Sequence, residues 1–142
     1  MTSVLLVEDD LSRADFLQDA LVADGYDVCA VARTVEAAIE AARGVDLDFA
    51  VIDIHLADGG LGTEVGAHLR QTTRAGIIFS TGNDNIANLT THEGDAVMTK
   101  PYRLRDMGRS LKIIDEIAHS GKTGLAFPRS FRLLEPPEMA AR

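Results

Sequence analysis

Phe49-Ala50-Val51-Ile52-Asp53-Ile54-His55-Leu56 is the stretch on which the fold turns. Four apolar residues run without polar interruption into one aspartate, and Gly59, Gly60 and Gly62 follow soon after. A short apolar run closed by turn residues predicts a strand buried on both faces, as in a parallel sheet. Asp53 then lies at the carboxyl end of that strand, where open α/β sheets gather their chemistry. A carboxylate there is costly to bury unless something pairs with it.

Working outward, Val4-Leu5-Leu6-Val7 is a second buried run, and it ends in Glu8-Asp9-Asp10. Ser12 is the expected cap of a helix over about 13–23, which turns Ala14, Leu17, Ala20 and Leu21 to one side. A third strand is expected over Val28 to Val31, holding the only cysteine, Cys29, as an inert core residue. Thr34 caps the next helix, which runs through about 43 and is followed by Gly44. Beyond the glycine-rich loop the pattern predicts a helix over 63–72, strand then turn over 76–82, and a weak helix over 84–92. A short strand from Asp95 to Met98 stops at Thr99-Lys100-Pro101, and a last helix over about 103–118 stripes Leu104, Met107, Leu111 and Ile114. Five strands alternating with five helices predict a doubly wound α/β domain with helices on both faces of a parallel sheet.

The 142 residues suit one domain with a single core, and 46% hydrophobic with 25% charged residues is ordinary for a globular protein. No run of 18 apolar residues and no signal peptide are visible, so a cytoplasmic chain without membrane contact is expected. The net charge of −8 argues against a nucleic-acid surface as the main role. Charge is also uneven: residues 1–119 hold 10 Lys/Arg against 20 Asp/Glu, whereas residues 120–142 hold Lys122, Arg129, Arg132 and Arg142 against Glu135 and Glu138. Pro128, Pro136 and Pro137 keep that tail from being one helix, and Phe127, Phe131, Leu133 and Leu134 make it too apolar for a plain disordered tail. It is expected to dock on the body or on a second subunit.

In a parallel sheet the strand ends share one rim, so Glu8, Asp9 and Asp10, then Asp53, Thr81 and Lys100 become neighbours. Clustered carboxylates repel unless a cation neutralises them, and a hard divalent ion such as Mg²⁺ suits oxygen ligands. A lysine and a hydroxyl beside a metal-bound carboxylate are what phosphoryl transfer to oxygen requires. Other patterns are weaker. His68, His92 and His119 have no ligand spacing, and Gly121-Lys122-Thr123 lacks the earlier glycine of a phosphate-binding loop.

On these residues the chain resembles a response-regulator receiver domain of bacterial two-component signalling over roughly residues 3–119. The resemblance implies a flavodoxin-like strand order 2-1-3-4-5. It also implies Glu8 and Asp9 as the acidic pair, Asp53 as phosphoacceptor and the His55 backbone carbonyl as a further metal ligand. Thr81 matches the switch hydroxyl and Lys100 the site lysine, with Pro101 after it. Ala57 stands where a proline is usual, Gly62 comes one residue late, and Val97 replaces a frequent aromatic. Phe79-Ser80-Thr81-Gly82 is similar to the Phe-Ala-Thr-Gly version of an atypical receiver subgroup.

The implied function is a signalling receiver, not a turnover enzyme. A sensor histidine kinase or phosphotransfer protein phosphorylates Asp53 with Mg²⁺ present, and the surface around 84–105 then engages a downstream protein. His55 and Asn83 flank the approach of water and are candidates for tuning the phosphoryl lifetime. Residues 1–119 are the expected receiver and 120–142 an extension without a separate output domain; the last helices and the tail are a candidate homodimer surface. Two rivals remain. An aspartyl-nucleophile phosphohydrolase would need a second carboxylate at His55, and a non-phosphorylated interaction module would not need the full site.

Overall fold

The computed structural model describes residues 2–56, 58–82 and 88–137. The chain forms β1 (Ser3–Val7), α1 (Leu11–Ala23), β2 (Asp27–Ala32), α2 (Val35–Ala42) and β3 (Phe49–Asp53). It continues through α3 (Gly62–Thr72), β4 (Gly76–Thr81), β5 (Ala96–Thr99), α4 (Leu104–Ser120) and β6 (Phe131–Leu133). The sheet order is β2-β1-β3-β4-β5-β6. The first five strands are parallel in the expected order, and β6 adds an antiparallel sixth at the edge of β5.

Alternation along the strands divides the core into two layers. Leu6, Val51, Ile78 and Met98 pack against Leu17 and Leu21 of α1 and Met107 and Leu111 of α4. Leu5, Ala50, Ile52, Ile77 and Phe79 pack against Ala38 and Ala42 of α2 and Val65 and Leu69 of α3. All five residues of β3 are buried, as a strand covered by helices on both sides must be.

Several local expectations change. The α1 cap is Asp10, whose carboxylate accepts the Arg13 amide at 3.0 Å; the helix starts at Leu11, so Ser12 is already inside it. Thr34 caps α2 by accepting the Ala37 amide. Cys29 is exposed, not core, because β2 is an edge strand covered by fewer neighbours. Of the helix expected over 84–92, residues 88–92 are turn and loop; Asn83 and residues 84–87 lie outside the described residues, as does Ala57. Four helices are therefore present among the described residues, and none is long and apolar enough to cross a membrane.

The tail docks on its own body. After the left-handed Gly121 that ends α4, the chain returns to β5, where the Thr99 amide donates to the Ser130 carbonyl at 3.1 Å. Phe131 enters the α1/α4 layer and Leu134 the α2/α3 layer. The apolar residues that set the tail apart in sequence are thus partly absorbed into the domain core.

Candidate functional site

Strand register and alternation assemble the rim. Asp53 lies opposite Ser80 across β3 and β4, and Thr81 opposite Thr99 across β4 and β5. Continuing the strand alternation from Leu6, Val51, Ile78 and Met98 puts Glu8, Asp53, Ser80 and Lys100 on the α1/α4 side. Thr81 continues Ile77 and Phe79, so it falls on the other side and lines a cleft with His55, Leu61 and Leu89. Both groups meet at one rim, approached from opposite faces.

Asp53 is only 7% exposed. Lys100 Nζ donates to its Oδ2 at 3.1 Å and stands 4.0 Å from Glu8 Oε1. One carboxylate oxygen each from Glu8, Asp9 and Asp53 lie within 4.8 Å of one another. Asp10, in contrast, turns to the helix cap and to Arg13 at 3.7 Å. The crowding has an electrostatic signature. Burial first, then the hydrogen bond and charge of Asp53, push the Glu8 carboxyl up to about 7, against the lowering by the Asp10 amide and Lys100. One lysine does not neutralise three carboxylates, which is why Glu8 resists giving up its proton. An all-oxygen donor set with surplus negative charge fits a hard divalent cation.

The late glycine has a clear reason. The loop after Asp53 folds back through a bridge between His55 and Leu61, and the Gly62 amide donates to the Ile54 carbonyl at 2.6 Å. A Cβ on Gly62 would collide with the Asp53 carbonyl oxygen and with Ile52 Cγ2. His55 is exposed on this loop. On the other flank the Lys100–Pro101 peptide is cis.

Sequence reasoning missed Tyr102 and Ser80. Their hydroxyls are 3.2 Å apart, directly beside the Asp53 position in the sheet. Burial raises the Tyr102 phenol, with Glu8 and Asp53 adding to the effect and Ser80 opposing it. Val97, where an aromatic was the usual residue, is fully packed in the α2/α3 layer. Tyr102, two residues after Lys100, is the aromatic that reaches the rim, and a polar Ser80 next to Thr81 at the end of an apolar run was the available signal.

An open doubly wound sheet with an acidic cluster and a lysine around one aspartate at its strand ends defines a CheY-like signalling module. The chain belongs to the response-regulator receiver family, whose domain model matches residues 4–112. Over 111 residues it is 34% identical to the sensory transduction protein RegX3 of Mycobacterium tuberculosis, covering 75% of this chain and 48% of that one. Over 102 residues it is 31% identical to the transcriptional regulatory protein YrkP of Bacillus subtilis, covering 70% of this chain and 43% of that one. The chain thus spans about half the length of the curated relatives it matches. Among solved structures, a CheY-like receiver from Methanospirillum hungatei superposes with a TM-score of 0.74 at 26% identity, over 85% of this chain and 99% of that one. The response regulator TrrA of Thermotoga maritima, solved with Mg²⁺ and BeF, shares the fold at a TM-score of 0.71 and 23% identity, over 80% of this chain and 99% of that one.

Proposed function

We propose that this chain is the phosphoacceptor of a two-component phosphorelay, taking a phosphoryl group on Asp53 from a phosphohistidine of a sensor kinase or phosphotransfer protein. The observation that carries the reading is the buried Asp53 carboxylate held by Lys100 at 3.1 Å with two further carboxylates at its side. An Asp53 oxygen attacks phosphorus as the P–N bond breaks, the bonding electron pair going to the donor nitrogen; the phosphohistidine ring, already protonated on its other nitrogen, leaves as neutral imidazole. Mg²⁺, held by Asp9 and Asp53 with Glu8 beside them and the His55 carbonyl as a further ligand, would neutralise charge on the phosphoryl oxygens. Lys100, which pairs with Asp53 at 3.1 Å, would pair with a phosphoryl oxygen, and Thr81 would supply a hydroxyl donor from the neighbouring strand end.

Adding that charge draws Lys100 and Thr81 toward one group from opposite faces of the sheet. This shifts a pre-existing equilibrium and changes the surface offered to a downstream protein. Residues 1–119 act as the receiver and 120–142 as an extension of it, in the cytoplasm. Acetyl phosphate or beryllofluoride with Mg²⁺ should shift amide resonances of residues flanking the rim in the wild type and leave Asp53→Asn unchanged. Equal shifts in both would reject Asp53 as acceptor.

A further inference from the structure

The C-terminal segment builds something the receiver rim does not use. The Arg109 guanidinium donates to the Ala126 carbonyl at 3.4 Å, and the Ser130 hydroxyl donates to the Pro101 carbonyl at 3.4 Å. These contacts set the segment alongside the first turns of α4 and leave a cleft between them, lined by Arg103, Arg105, Arg109 and Arg129. The one carboxylate in that lining is Asp106. All four arginines are exposed, and none has an ion-pair partner among the described residues. Four like charges converge although the chain as a whole carries −8.

Phe127 stands on the tail wall of the same cleft, 47% exposed, its ring edge-on to Phe131 at 5.0 Å. The ring is therefore presented to solvent by a buried neighbour that holds it in place. Guanidinium forks around an exposed aromatic match carboxylates flanking an apolar side chain. We propose that this cleft docks an acidic segment of a partner protein. Asp and Glu carboxylates pair with the arginines, and an apolar side chain covers Phe127. A short segment fits better than a long polyanion, because residues 1–119 hold twice as many acidic as basic residues and would repel an extended nucleic acid. The proposal does not depend on phosphorylation of Asp53.

Fluorescence polarisation of the full chain with a labelled peptide of about ten Asp and Glu residues around one Trp tests the assignment. Comparison probes are its Asn/Gln counterpart and a single-stranded oligonucleotide of equal charge. The acidic peptide should bind in preference to both, and added salt should weaken it. Arg105→Glu with Arg129→Glu should lose about tenfold or more in affinity, and Phe127→Ser about threefold or more. Arg43→Glu with Arg74→Glu, an equal charge change elsewhere on the surface, should lose far less. Unchanged melting temperatures would show that all variants remain folded. Absence of binding, equal binding of the Asn/Gln peptide, tighter binding of the oligonucleotide, or equal loss in the Arg43/Arg74 variant would each overturn the proposal. So would concentration-dependent self-association abolished by the Arg105/Arg129 variant, which would assign the cleft to a second copy of the chain.

Discussion

Glu8 offers a quantitative test of the rim. Its carboxyl is pushed up to about 7 from an ordinary 4.5, burial being the largest cause and Asp53 the next. Between those two values the folded chain keeps a proton that the unfolded chain has released. The Glu8 contribution to the stability of the cation-free protein should therefore be fully present below about pH 4.5, fall as pH rises toward 7, and be lost above it, a difference of about 3 kcal/mol that Glu8→Gln should remove from the pH profile. A cation that uses the Glu8–Asp53 pair must displace that proton. At pH 6 Glu8 is about nine-tenths protonated and at pH 8 about one-tenth, so apparent Mg²⁺ affinity should rise about tenfold between them. Titration calorimetry in buffers of different ionisation heat should find about 0.9 proton released per cation at pH 6 and about 0.1 at pH 8. Glu8→Gln should flatten the pH dependence. Mg²⁺ binding that is level from pH 6 to 8 with no proton release would refute the shared-proton account of the site.

Other expectations rest on packing and hydrogen bonding. Gly62→Ala forces a methyl against the Asp53 carbonyl and Ile52, so urea unfolding should show a loss of about 1–3 kcal/mol together with impaired phosphorylation. Tyr102→Phe removes the 3.2 Å contact with Ser80 and should cost about 1 kcal/mol in the same assay. Ending the chain after Gly121 uncovers the β5 edge and the sites of Phe131 and Leu134. Thermal melts should then show a loss of about 2–5 kcal/mol, and light scattering should detect association through the bared edge.

The parallel alternation of five strands with helices and the approximate reach of four helices were legible because they depend on short-range patterns, whereas the order of the strands in the sheet came only with the family resemblance. Buried runs such as Phe49–Ile52 and Val4–Val7 can be little else than central strands, and helix stripes repeat every three or four residues. The same logic placed Asp9, Asp53, Thr81 and Lys100 on one rim, since every strand of a parallel sheet ends on the same side. Choices between adjacent polar residues were less legible. Ser12 and Asp10 are both good caps, and only the course of the backbone after β1 gives the role to Asp10. Cys29 sits in an apolar run whether its strand is central or at the edge; its exposure follows from β2 lying at the edge of the sheet, which the apolar run by itself does not show.

The sequence by itself determined the doubly wound sheet and the set of side chains its strand ends could present, because burial periodicity and chain order are local properties. Tertiary structure decided which of those groups meet and from which face. It gave Asp53 its lysine at 3.1 Å, put Glu8 close enough to share a proton, and brought Thr81 to the rim from the opposite layer. It also turned an ambiguous apolar tail into a sixth strand and set Arg129 beside Arg103, Arg105 and Arg109. Distances between residues far apart in the chain follow from packing in three dimensions, which no local pattern encodes.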